Sequence, residues 1–211
     1  MNLLSKLLLV TSLGMACGAQ ATVINSIPGG GTALPFSEVN VMGAGPEYED
    51  FFTWESTYDN SVYGWNLGYG LEGNGYWDGL AGDFTHIGLN ADSSYGPDLF
   101  MTITFDNRVS SVLAFLNHVP DFDDTAYMAI YDINDNLIES YDLSISTPDG
   151  FNEGEDWGFS QSSANIKSFV LGGAFIAATD LRVGGVPEPA SLALLGIGLA
   201  GLGAMRRRQR A

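Results

Sequence analysis

Cysteine, basic charge and helical periodicity are all scarce in this chain. The 211 residues contain one cysteine, Cys17, and it lies in the first twenty. The rest of the protein therefore has no disulfide and no thiol nucleophile, and chain packing alone must hold it together. There are 8 lysines and arginines against 25 acids. Between residues 22 and 185 only Arg108, Lys167 and Arg182 are basic, against twenty-four acids, a net of −21. Such a surface repels nucleic acid and anionic headgroups, which excludes both as partners of the body, and it attracts cations. The two histidines, His86 and His118, lack metal-ligand spacing. There is no Gly-x-Ser-x-Gly elbow. Carboxylates abound, but no pair is singled out as the acid and base of a glycosidase.

The N-terminal end reads as a leader. Met1 to Lys6 is a short basic region, Leu7 to Met15 is apolar, and Ala19-Gln20-Ala21 is a small-x-small cleavage site. This is the pattern of a secretory signal peptide over 1–21. An acylated Cys17 is the minor alternative, since Gly14-Met15-Ala16 leads into it poorly.

Residues 186–211 have three parts in fixed order. Val186-Pro187-Glu188-Pro189 comes first, then an uncharged Leu/Gly run from Ala190 to Met205, then Arg206-Arg207-Arg208. Two prolines fix φ and remove two donors, so the tripeptide is extended and available to a protease groove. The run is shorter than the ~20 residues of a comfortable span, so a transmembrane helix here needs thinning of the bilayer or help from its flanks. The arginines stop transfer and stay cytoplasmic. Gly196, Gly198, Gly201 and Gly203 allow close helix approach.

This tail closely resembles the PEP-CTERM sorting signal of Gram-negative bacteria, with Val186 to Pro189 and Arg206 to Arg208 matching its pattern position by position. The resemblance implies recognition and removal of the tail by exosortase, an integral-membrane cysteine protease. It also implies export across the inner membrane, transient anchoring there, and release to the envelope or extracellular matrix of an exopolysaccharide-producing, biofilm-forming cell. It covers about the last tenth of the chain and says nothing specific about the body.

The body, 22–185, has the length of one domain. Leu99, Met101, Ile103 and Phe105 alternate onto one face of a strand. Asp106-Asn107 is expected to turn the chain, and Val109 to Phe115 to resume as a strand. Ala126–Tyr131 and Leu137–Leu143 flank the turn residues Asp132 to Asn136 as a hairpin. Ile166–Leu171 and Phe175–Val183 close the series. No sustained 3.6-residue stripe occurs, so the expectation is an all-β, antiparallel β-sandwich or jelly roll. From Leu99 onward the chain also resembles a β-sandwich common among PEP-CTERM proteins. The matching points are Phe105 to Val112, Phe115 with Asn117, Tyr131-Asp132 to Ser140, Trp157-Gly158-Phe159, Ile166 to Leu171, and Asp180-Leu181.

Three candidate sites remain in the body. Asp132-x-Asn134-x-Asn136 opens like a calcium loop, but Leu137 replaces the glycine of its sixth position and Leu143 the glutamate of its twelfth, which favours a turn. Asp121, Asp123 and Asp124 crowd three carboxylates, and Asp180 interrupts an apolar strand. The cluster Asp121, Asp123 and Asp124 and, separately, Asp180 are the candidate calcium ligands, the first weighed against a solvated loop and the second against an outward-facing side chain. No cofactor is established by the sequence, and Ca2+ is the one candidate. Between Tyr58 and Asp83, Tyr63, Trp65, Tyr69, Tyr76 and Trp77 alternate with glycines. Flat rings beside Asp and Asn suit sugar rings, so Trp65, Tyr69, Tyr76 and Trp77 are the candidate glycan contacts, against a plain core role. The expected function is a non-enzymatic structural or adhesive role with polysaccharide as partner. The alternative is a secreted carbohydrate-active enzyme or a sugar-specific lectin.

Overall fold

The computed structural model describes residues 21–68, 85–89, 99–118, 126–143, 153–173 and 175–185. Both proposed terminal helices lie outside them. Among the described residues no helix is long and apolar enough to cross a membrane.

All the described regular structure is strand, paired antiparallel throughout. In chain order the strands are β1 (Thr22–Ile24), β2 (Thr32–Ala33), β3 (Val41–Met42), β4 (Glu47–Tyr48), β5 (Phe52–Ser56), β6 (Ser61–Trp65) and β7 (His86–Leu89). They continue as β8 (Phe100–Val109), β9 (Ser111–His118), β10 (Tyr127–Tyr131), β11 (Leu137–Asp142), β12 (Glu155–Ser160), β13 (Ile166–Gly172) and β14 (Ile176–Gly184). One sheet runs β1-β12-β9-β14-β7-β6-β3, with β2 paired to the end of β14, and the other runs β11-β10-β13-β8-β5-β4. Inward side chains from both sheets form one buried cluster, so the fold is a sandwich.

The alternation at 99–105 is as read from sequence. Met101, Ile103 and Phe105 are buried, and Leu99 packs partly against the same cluster. Asp106-Asn107 is not a turn, however: β8 runs on to Val109. The register with β13 slips, with Thr104 opposite Ser168 and Val109 opposite Ile166, so an irregularity absorbs the polar residues. Lys167 Nζ donates to the carbonyls of Phe105 and Asp106 and caps backbone that the slip leaves out of the ladder. Val109 ends β8 and Ser111 opens β9 in the other sheet, so Ser110 is a crossing point between sheets.

The β10–β11 turn is a hairpin, as expected. Asp132 Oδ1 accepts from the backbone N–H of Asn134 at 2.8 Å and of Asn136 at 3.0 Å. The side-chain amide of Asn136, followed by its backbone N–H, holds the Asp132 carboxyl below its ordinary range. These bonds close a turn, and they account for the calcium-like spacing without an ion.

The sheets meet around aromatic rings. Trp54 of β5 and Tyr63 of β6 are fully buried, with ring centroids 5.2 Å apart. Phe36 packs edge-on against Tyr63 at 5.8 Å and against Phe52 at 5.9 Å. The Tyr63 hydroxyl donates to Glu49 Oε1 at 2.5 Å, and Glu49 also accepts from Ser37 N–H and Oγ. Burial first, then the bond and charge of Glu49, push the Tyr63 phenol well above its ordinary value. A raised folded-state value means that the native state keeps the proton longer than the unfolded chain does. The resulting stability is fully present below pH ~10 and is lost as pH rises beyond it. Tyr63→Phe is therefore expected to cost about 1–2 kcal/mol at neutral pH and to flatten the fall in melting temperature between pH 9 and 11. Identical pH slopes for variant and wild type would show that Tyr63 does not carry this effect.

Candidate functional site

The last strand positions the end of the folded body. Ile176 and Ala178 point into the core, and so do Leu181 and Val183. An unbroken strand cannot place both pairs on one face, because its side chains alternate. The register with β9 shifts between Thr179, opposite Phe115, and Arg182, opposite Leu113. Asp180 is the extra residue, at φ 48°, a left-handed conformation that aspartate tolerates better than most residues.

Asp180 is accordingly exposed, and Arg182 forks onto it, with Nε 3.0 Å from Oδ1 and Nη2 2.5 Å from Oδ2. The hydrogen bond and charge of Asp180 raise the Arg182 guanidinium further above its usual value. Across the sheet, Asp156 is raised by burial and then by the Asp180 charge, with Arg182 opposing. An exposed pair of this kind contributes at most about 1 kcal/mol. Of the four carboxylates offered for calcium, Asp180 has its own cation within the chain, and Asp121, Asp123 and Asp124 lie outside the described residues. Among the described residues no group of three His, Cys, Asp or Glu side chains could hold a metal ion.

Trp65 ends β6 half-buried, with its indole Nε1 enclosed by protein. Tyr63, two residues earlier, is core. Tyr69, Tyr76 and Trp77 lie outside the described residues, so Trp65 is the one glycan candidate that can be placed. His86 and His118 are both buried, on β7 and β9.

The C-terminal end of β14 shows what sequence reasoning missed. Ser110 donates its backbone N–H to Gly184 O at 2.9 Å and its hydroxyl to the same oxygen at 3.1 Å. Gly185 follows at φ 62°, and a Cβ there would lie 2.0 Å from Ser110 Oγ. Only glycine fits a position with both that backbone and that contact. Ser110, Ser111, Ser160 and Gln161 line a cleft of about 440 Å³ with Gly184 and Gly185. Ile27, Pro28, Gly29, Gly31 and Thr32 also line it, and none of the lining residues is charged. The sorting tetrapeptide begins at Val186, the next residue. The seven named residues of the sorting signal, Val186 to Pro189 and Arg206 to Arg208, lie outside the described residues. No spacer separates them from the sheet.

Comparison with known families finds the PEP-CTERM protein-sorting motif at residues 185–208. The chain thus carries the motif of exosortase-targeted secreted proteins, which implies exosortase as its processing partner. No curated protein and no solved structure matches the chain.

Proposed function

We propose that this is an exported protein, cut from its membrane tail by exosortase, whose β-sandwich has a structural or adhesive role in the envelope or extracellular matrix and associates with exopolysaccharide. The observation that carries the reading is the sorting motif set directly against a folded sandwich. On this reading residues 1–21 are a removed signal peptide, and Ala190 to Met205 anchors the chain in the inner membrane until cleavage. The mature body is strongly acidic and lacks cysteine, which favours neutral or cation-bridged polysaccharide over polyanions. The role is non-enzymatic.

The test pairs sugar binding with a folding readout. Trp65→Ala and Trp77→Ala are expected to weaken retention on extracellular polysaccharide several-fold while the protein stays folded, and no reducing ends should appear. Unfolding of either variant would make that ring core. Release of reducing ends by the wild type would replace adhesion with glycoside cleavage. Unchanged binding by folded variants would move the contact to another surface.

A further inference from the structure

Thr22 pairs with Ser160, Ser160 with Ser111, and Ser111 with Gly184. These four residues form one row across β1, β12, β9 and β14. Three strand spacings put Thr22 and Gly184 roughly 14 Å apart. β1 starts and β14 ends at this row, so both ends of the body leave the sandwich at one end.

The other sheet meets the same end. β8 finishes at Val109, and only Ser110 separates it from the start of β9 at Ser111. The β4–β5 and β10–β11 turns lie on this side, next to the Phe52–Phe105 and Tyr131–Ser168 pairings. They expose Tyr48, Phe51, Ile133 and Leu137, at 77%, 60%, 58% and 55%. These are four of the seven exposed large apolar side chains among the described residues. Asp50, Asp132 and Asp135 stand beside them, whereas the cleft at the chain exit is uncharged.

The reach of the tail is short. From Gly185 to Ala190, where the apolar run begins, the chain spans at most about 18 Å. If that run is in the bilayer, a protease acting on Val186 to Pro189 works in a gap narrower than an ordinary domain. We infer that the chain-exit end of the sandwich, with Phe51, Ile133 and the Ser–Gly cleft, is a docking face for the membrane-embedded processing protease. The Ser110–Gly185 contact sets the spacing by leaving no slack. This rests on the exosortase reading above and adds the surface that the protease touches.

The full-length chain is expressed in a host that makes the protease, in an inactive form that traps its substrate. A photo-crosslinking phenylalanine analogue is placed at Ile133 or Ser162 at the exit end, or at Asp59 or Asp142 at the far end; all four positions are exposed. Crosslinks to the protease are expected from the first pair at least fivefold above the second. With a twenty-residue Gly/Ser insertion between Gly185 and Val186 the excess should stay above twofold, because a recognised surface does not depend on the short tether. Equal yields from both ends, crosslinks to lipid alone, or an excess that falls to near one on insertion would each overturn the docking face. Tail removal is followed in parallel with active protease and no analogue. If the wild type keeps its tail there, it is the exosortase reading that fails.

Discussion

Replacing Pro187 and Pro189 together by alanine is expected to leave the C-terminal arginines on the exported protein. Each proline in a helix interior costs about 3 kcal/mol relative to alanine, and neither has an N–H to give to a preceding carbonyl. The pair therefore holds Val186 to Pro189 extended ahead of the apolar run. With alanines, Ala190 to Met205 can propagate helix backward through Glu188 toward Gly185, and the positive φ of Gly185 stops it there. The protease would then meet helix, whose backbone groups are already bonded internally, instead of an accessible extended segment. Intact-mass measurement of the secreted or membrane fraction reads the outcome. The wild type should lack Arg206 to Arg208 and the double variant should retain them in most molecules. A wild-type product that keeps the arginines would end the exosortase reading. A fully processed double variant would leave that reading in place but remove extended backbone as its basis.

What the sequence shows and what it hides divide along a physical line. The sorting signal is a linear motif, so every residue of it can be named without a fold. Strands with one solvated face could also be read: the alternation from Leu99 to Phe105 and the Asp132 to Asn136 turn are both local patterns. β6 and β7 were hidden in the glycine-aromatic stretch and beyond it. Ser61 to Gly64 and His86 to Leu89 are each buried four in a row, so no period of two appears. Asp106 and Asn107 are polar residues that suit a turn as well as a bulge, so the local sequence does not separate the two. What settles it is Lys167, sixty residues on, bonding the carbonyls there. Asp180 posed a similar problem. Its carboxylate in an apolar strand suggested a ligand, and its role in shifting the side-chain alternation shows only when Leu113 and Phe115 of β9 are set opposite. The row from Thr22 to Gly184 is tertiary information of the same kind, and no window along the chain contains it.

The largest loss of stability is expected from Trp54→Ala. Trp54 is wholly buried on β5, between the Glu47 and Ile103 pairings of its sheet. Its ring reaches Tyr63 of the opposite sheet. The backbone at Gly45 passes so close that a Cβ there would lie 3.2 Å from the Trp54 ring. Backbone on one side and a second sheet on the other leave little room to collapse, so the space should persist as a cavity. Truncation of a buried Trp under those conditions costs about 3–5 kcal/mol, a large share of the ~5–15 kcal/mol that holds a typical domain together. For a body of this size the melting temperature should fall by on the order of 10 °C, with a matching drop in the urea midpoint. Trp54→Phe, which keeps a ring against Tyr63, should lose clearly less. The near-UV circular dichroism of the alanine variant should also lose intensity below its transition, because Tyr63 would have lost its asymmetric neighbour. No disulfide ties the two sheets together, since Cys17, the one cysteine, precedes the sandwich, so the cost cannot be hidden by a crosslink. An alanine variant melting within about 2 °C of wild type would show that the sheets do not close on Trp54, and the core would then have to be placed elsewhere.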